Sequence, residues 1–252
     1  MRLTGPLESL ALLTALPVPA RATTSTRGVL PWAPAVGLLL GGIAGGVAVL
    51  GARGATPLVG AVLAIAVLAV LTRGLHLDGL ADTADGLGPL RARDRALQVM
   101  RQGDVGPFGV AALVLTLLLQ VACLDALLRA GTGWPELATA AAVARLAMAR
   151  TGLPRVPMAA GSSLGRAVAG TVSPAWLAGC VVVLAAVLAG VAALGDPATA
   201  LRLAVGAAVG LLVAELVHRR ACSRLGGVTG DVMGAMGETA TAAVLLAAAV
   251  VV

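Results

Sequence analysis

Ala55-Thr56-Pro57-Leu58-Val59-Gly60-Ala61-Val62-Leu63-Ala64-Ile65-Ala66-Val67-Leu68-Ala69-Val70-Leu71 is apolar almost throughout. Four residues later the chain reads Leu75-His76-Leu77-Asp78-Gly79-Leu80-Ala81-Asp82-Thr83-Ala84-Asp85-Gly86. The first run has the character of a membrane segment. The second places three of the chain's twelve acids within eight residues. On a helix, residues at i, i+4 and i+7 share a face, so Asp78, Asp82 and Asp85 point the same way and His76 faces roughly opposite. Three carboxylates on one face repel unless a cation sits among them. Hard divalent ions such as Mg²⁺ take oxygen ligands and bridge to substrate phosphates. The plain alternative is a solvated acidic face. Acids beside a membrane-type segment tend to be functional, which favours the cation.

Outward from this stretch the composition points the same way. The chain is 59% hydrophobic and 12% charged, about half the charged share of an ordinary soluble domain, with mean hydropathy +0.98. An all-α, polytopic membrane bundle of about six to seven transmembrane helices is the expectation, with residues 1–252 forming one domain. All 18 basic residues are arginine and the net charge is +6, which suits anionic lipid and an anionic substrate. With three Trp and one Phe, the chain lacks the stacking aromatics of a nucleic-acid binder. Cys123, Cys180 and Cys222 have neither disulfide-framework nor zinc spacing.

The expected spans are Val29–Leu50, Ala55–Leu71, Phe108–Leu128, Trp134–Arg150, Trp176–Leu194, Ala198–Val217 and Met233–Val252. Gly37, Gly41 and Gly45 recur every four residues in the first, the signature of close helix packing. Such small-residue stripes serve packing within one chain or between copies in a homo-oligomer. Arg145 and Arg150 in the fourth segment must face the bundle interior or an interface. Residues 1–28 resemble a leader with a cleavage site at Ala20-Arg21-Ala22, but Glu8 interrupts the apolar run. An interfacial helix ended by Pro17-Val18-Pro19 is the preferred reading. With the N-terminus inside, alternation puts fifteen arginines on the inner side and only Arg53, Arg129 and Arg202 outside, a strong positive-inside bias. The same alternation puts the acidic region 72–105, the loop 151–172 and the Gly-Asp region 218–238 in the cytoplasm of a bacterial cell.

Gly226-Gly227-Val228-Thr229-Gly230-Asp231 is the second informative stretch. Glycines let backbone N–H groups approach a phosphate, and a helix start adds a favourable dipole. Alone it reads equally well as a structural turn. Asp231 offers another metal ligand, and Glu238 lies seven residues on, on the same helical face. Together with the acidic triad, the loop suggests phosphoryl-group transfer at the membrane surface. Mg²⁺ would neutralise a diphosphate while arginines hold its oxygens, with Arg101 and Arg219 the candidates. A hydroxyl nucleophile would lose its proton to a carboxylate, Asp82 or Asp85, or to His76. A lone histidine before an acidic helix also fits a structural role.

The stretch from Gly74 to Gly86 resembles the hallmark of the cobalamin synthase family, the adenosylcobinamide-GDP ribazoletransferases. Ala96-Leu97-Gln98-Val99-Met100-Arg101, Gly106-Pro107-Phe108-Gly109, Gly226 to Asp231 and Leu16-Pro17-Val18-Pro19 support the resemblance, which spans nearly the whole chain. It implies a Mg²⁺-dependent, multi-pass enzyme of the inner membrane. Such an enzyme joins adenosylcobinamide-GDP to α-ribazole or its 5′-phosphate, giving adenosylcobalamin or its phosphate and releasing GMP. By position it implies Asp78, Asp82 and Asp85 as metal ligands, with Gly227, Thr229, Gly230 and Asp231 as a second part of the site. The family's acid directly after the basic residue at Arg101 is here Gln102, and the nearest acid is Asp104, a shifted candidate ligand.

Two other readings compete. A CDP-alcohol phosphotransferase of phospholipid synthesis shares the echo Asp82-Thr83-Ala84-Asp85-Gly86 but not the continuation. A transporter would use carboxylates at mid-membrane in broken helices, with inverted repeats, whereas these acids fall in polar stretches beside the spans.

Overall fold

A computed structural model describes residues 4–20 and 25–252. Arg2 and Arg21 of the inner-side charge, and Ala22 of the leader-like stretch, lie outside the described residues. Eleven helices make up the described chain: α1 Gly5–Leu13, α2 Val29–Gly54, α3 Pro57–Leu71, α4 Leu75–Leu87, α5 Arg93–Val99, α6 Pro107–Arg129, α7 Trp134–Arg150, α8 Ser163–Val168, α9 Pro174–Ala193, α10 Pro197–Leu225 and α11 Gly230–Val251. Their starts are written locally. Proline opens α3, α9 and α10, where its missing N–H costs nothing. Thr56, Ser173 and Asp196 before them accept from the backbone N–H of Val59, Trp176 and Thr199.

Helices α2, α6, α9, α10 and α11 are each long and apolar enough to cross a membrane. The protein is a multi-pass helical membrane protein, with five such spans among the described residues, or six if α3 and α4 count as one broken span. Counting the broken pair, the six reach the lower end of the expected six to seven, and α3 and α7 are short as single helices. Helix α3 has 15 residues and α7 has 17, ~23 and ~26 Å at 1.5 Å per residue, short of a ~30 Å hydrocarbon core. Helix α7 instead fills the centre, packed by α2, α10 and α11. The glycine stripe of α2 is what admits it. A side chain at Gly37 would come within 2.3 Å of the Ala141 carbonyl oxygen, and one at Gly41 within 2.7 Å of the Ala141 methyl.

Between α3 and α4 the axis turns by 89°. Arg73 and Gly74 both take left-handed backbone angles, φ 55° and 69°. For arginine that conformation costs roughly 1–2 kcal/mol. The corner is held from outside: the Arg73 guanidinium donates to the Leu12 carbonyl at 3.1 Å, and the Ala15 N–H donates to the Leu71 carbonyl at 2.7 Å. The chain end of α1 is thus pinned to the bend. Glu8 secures its other end by accepting from the Gly28 N–H at 2.7 Å.

After the bend α4 lies outside the five spans and crosses the first turns of α11. Gly79 meets the Asp231 backbone and Gly234 meets the His76 backbone, so the two helices touch main chain to main chain. A Cβ at Gly79 would stand 2.7 Å from the Asp231 carbonyl oxygen, and a helix backbone cannot yield there. Gly79→Ala should therefore lose about 1–3 kcal/mol of stability, read as a lower melting temperature in detergent. Gly42→Ala, at a helical glycine with nothing within 4 Å, should be neutral or slightly stabilising in the same assay.

Candidate active site

Helix α4 rolls from solvent into the protein along its acidic face: Asp78 is exposed, Asp82 half-buried and Asp85 buried. The three share a face but not a fate. Asp85 Oδ2 accepts from the Gly106 N–H at 2.7 Å and Oδ1 from the Gly109 N–H at 3.0 Å. It thereby caps the orphan donors at the start of α6. Both glycines are needed, since a Cβ at either position would fall within 2.5 Å of an Asp85 oxygen. The Asp85 carbonyl accepts from Arg91 at 2.7 Å.

Asp82 is left among like charges. Burial first, then the carboxylates of Asp78, Asp231, Asp85 and Asp104, push its carboxyl up from the ordinary 3.8 to about 7. Asp104 sits on the exposed loop before α6, close enough to contribute. Asp231 comes from the first turn of α11, where Thr229 caps the helix by accepting from the Val232 N–H and donates its hydroxyl proton to Asp231 Oδ2 at 3.2 Å.

Beside these acids opens a cavity of about 370 Å³. Its polar lining includes His76, Arg101, Ser162, Ser163, Thr229, Gly230 and Asp231, and its apolar side includes Leu13, Leu30, Met148 and Met233. Arg101 is exposed and donates through Nη2 to the Ala160 carbonyl. The serines belong to the 151–172 segment, which the sequence reading treats only as a loop. Gly161-Ser162-Ser163 was the available signal, since Ser162 caps α8 by accepting from the Gly165 N–H.

Other candidates lie elsewhere. Gly227 packs against the Met158 and Ala159 backbone, beside the Met158–Val228 bridge, which ties the Gly-rich loop to the 151–172 segment. Arg219 pairs with Glu215 at 2.7 Å, which also holds Arg150 at 2.9 Å, away from the cavity. Glu238 lies two helical turns from Asp231, ~10 Å along α11, where it accepts from Gln120 at 3.0 Å. His76 turns inward beneath α4, 3.4 Å from Arg145.

The acidic cluster offers oxygen donors to a divalent cation but no closed cage. Among the described residues no three His, Cys, Asp or Glu side chains converge closely enough to cage an ion. The groups on offer around Asp82 are all carboxylates, the hard oxygen donors Mg²⁺ prefers. Mg²⁺ commonly takes one or two of them and completes its shell with water and substrate phosphate. Asp78 and Asp231, which flank Asp82, suit that mode.

The Asp82 shift carries a stability signature. Between 3.8 and about 7 the folded protein holds a proton that the unfolded chain has lost, so stability falls as pH rises through that window. With a chelator present, the melting temperature should be lower at about pH 8 than at about pH 6. Asp82→Asn should flatten the difference, and added Mg²⁺ should remove it in the unaltered protein.

Over residues 5–249 the chain matches the family described as cobalamin-5-phosphate synthase. It is similar to proteins named adenosylcobinamide-GDP ribazoletransferase from three bacteria. That of Frankia casuarinae is 41% identical over 96% of this chain and 92% of its own length. That of Chlorobaculum tepidum is 40% identical over 98% and 95%. That of Shigella dysenteriae is 37% identical over 94% and 96%. No solved structure matches. With the family match running over residues 5–249, and the acidic helix, capped Gly-Asp turn and membrane spans in one bundle, the chain belongs to the cobalamin-5-phosphate synthase family.

Proposed function

We propose that the protein is an adenosylcobinamide-GDP ribazoletransferase working at the cytoplasmic face of the bacterial membrane. It would join adenosylcobinamide-GDP to α-ribazole or its 5′-phosphate and release GMP. The observation that carries this reading is the half-buried Asp82, its carboxyl raised to about 7 by burial and by four other carboxylates, beside a cavity that Arg101 lines. Such a cluster calls for a cation and an anionic ligand together.

A ribose hydroxyl of the acceptor attacks the cobinamide-side phosphorus, a new P–O bond forms, and the P–O bond to GMP breaks. The hydroxyl proton needs an acceptor. Asp85 has both oxygens engaged by Gly106 and Gly109, and His76 presents Nδ1 to Arg145. Asp82 is the remaining candidate, and a carboxylate poised near pH 7 suits the task. Arg101, which lines the cavity, would hold diphosphate oxygens, and the Thr229–Gly230 turn would offer helix-start N–H groups to the same charge. Asp78 and Asp231 would hold a Mg²⁺ ion, whose chemistry when bound is to stabilise negative charge on the phosphates and the leaving GMP.

The test is purified protein in liposomes with adenosylcobinamide-GDP, α-ribazole and Mg²⁺. GMP and a cobalamin product should both form, and chelation should stop the reaction. Absence of both products would sink the assignment. Asp82→Ala should insert normally in the membrane yet be inactive, and near-normal turnover would remove Asp82 from the chemistry. In a chain without its native cysteines, Gly88→Cys should be labelled from the cytoplasm, and labelling from outside would overturn the orientation.

A further inference from the structure

The corner between α1 and α2 lines two cavities. Leu13 and Leu30 belong to the one already described. Glu8, Arg27 and Trp32 line a second, of about 320 Å³, together with Thr171, Ser173 and Trp176 from the approach to α9 and its first turn. The hydrogen-bonding groups of this second cavity are unbalanced. Its one carboxylate, Glu8, is occupied: Oε1 accepts from the Thr4 hydroxyl at 3.0 Å and Oε2 from the Gly28 N–H at 2.7 Å. Thr171 donates to the Val168 carbonyl at 2.7 Å, and Ser173 accepts from the Trp176 N–H at 3.1 Å. The indole N–H groups of Trp32 and Trp176 and the exposed Arg27 guanidinium have no acceptor among the described residues. Trp134, the third tryptophan of the chain, instead donates to the Gly42 carbonyl at 3.0 Å. A pocket with unanswered donors and its only carboxylate occupied selects an anion.

The surroundings say which anion. Trp32 and Trp176 stand in the first turns of α2 and α9, both long and apolar enough to cross a membrane. Indole rings at such positions lie at the level of lipid head groups, with the ring in apolar surroundings and the N–H toward the polar side. Helix α9 has no buried residue, so its surface is open to acyl chains. One side of it runs from Ser173 and Trp176 on to Leu177 and Val181. These last two line a further cavity of about 370 Å³ with Leu146 of α7 and Leu211 of α10. The lining there is apolar except for Arg150 and Glu215, which pair with each other at 2.9 Å. A donor-rich pocket at the head of an apolar slot matches a phospholipid with an anionic head group.

We propose that the protein binds one such phospholipid. Arg27, Ser173 and the indole N–H groups of Trp32 and Trp176 hold its phosphate, and an acyl chain lies in the slot between α7, α9 and α10. The proposal rests on the membrane spans and not on the transferase reading, and its test needs no turnover. The α1–α2 corner that carries Glu8 and Trp32 also carries Leu13 and Leu30, so the bound lipid bears on a wall of the catalytic cavity.

Tryptophan fluorescence in vesicles reads the site. The full chain with Trp134→Phe is reconstituted in phosphatidylcholine containing a small share of phosphatidylglycerol brominated near the glycerol end of its acyl chains. The same share of brominated phosphatidylcholine is the reference. Quenching should correspond to about fivefold enrichment of the anionic lipid beside Trp32 and Trp176 over its share of the bilayer. Arg27→Gln should bring quenching down to the reference. Arg166→Gln, which removes an exposed charge outside the pocket, should leave it unchanged. Val181→Phe, which narrows the slot and spares the donors, should reduce the excess. Equal quenching by the two lipids, equal losses in the Arg27 and Arg166 variants, or an undiminished excess in Val181→Phe would each overturn the proposal. So would relief of quenching by inorganic phosphate, since the pocket would then take a soluble anion and not a lipid.

Discussion

Everything in the candidate site depends on one contact, the main-chain crossing of a short polar helix over the start of a long apolar one. Gly79 lies on the Asp231 backbone and Gly234 on that of His76. Without side chains between them, the helices approach closely enough for Asp78 and Asp82 to feel Asp231. The same contact drives His76 under α4, where it meets Arg145. One pair of glycines therefore sets both the acidic cluster above the crossing and the buried contact below it.

Much of this was legible in the chain. The i, i+4, i+7 acids gave a helix with one acidic face, and the glycine stripe of α2 gave a close packing surface, now seen against Ala141. A helical wheel, however, reports direction and not neighbours. It could not separate Asp85, which reaches the start of α6, from Asp82, which reaches nothing but other acids. Nor could it weigh depth: Glu238 shares a face with Asp231 but sits two turns away, with Gln120 and Arg145. The 89° bend was hidden because it rests on Arg73, a residue type that seldom adopts a left-handed conformation, and is secured by the distant carbonyl of Leu12. The serines of the 151–172 segment escaped because a loop gives no periodicity to project from.

Charges buried in this apolar bundle are handled consistently: each is given a partner from another helix or the chain around it. Glu136, fully buried, accepts from Thr132 and Gly133 and meets Arg202 at 3.3 Å. Nearer the surface, half-buried Arg150 shares Glu215 with exposed Arg219. Arg145 has His76 and, across a water-sized space, Glu238. Removing one member of such a set strands the other in a low-dielectric interior, which costs more than the pair itself contributes. Asp82 departs from this pattern, and the departure marks where a ligand belongs.

The cap that Asp85 provides has an evolutionary corollary. Its carboxylate fills the space that side chains at positions 106 and 109 would occupy, and it satisfies the two N–H groups there. None of the three positions is free to drift alone. A methyl group at either glycine would evict the carboxylate, and loss of the carboxylate would leave two amides bare at the mouth of a membrane helix. Positions 85, 106 and 109 should therefore be inherited as a block, held together by geometry even in a relative whose chemistry had changed.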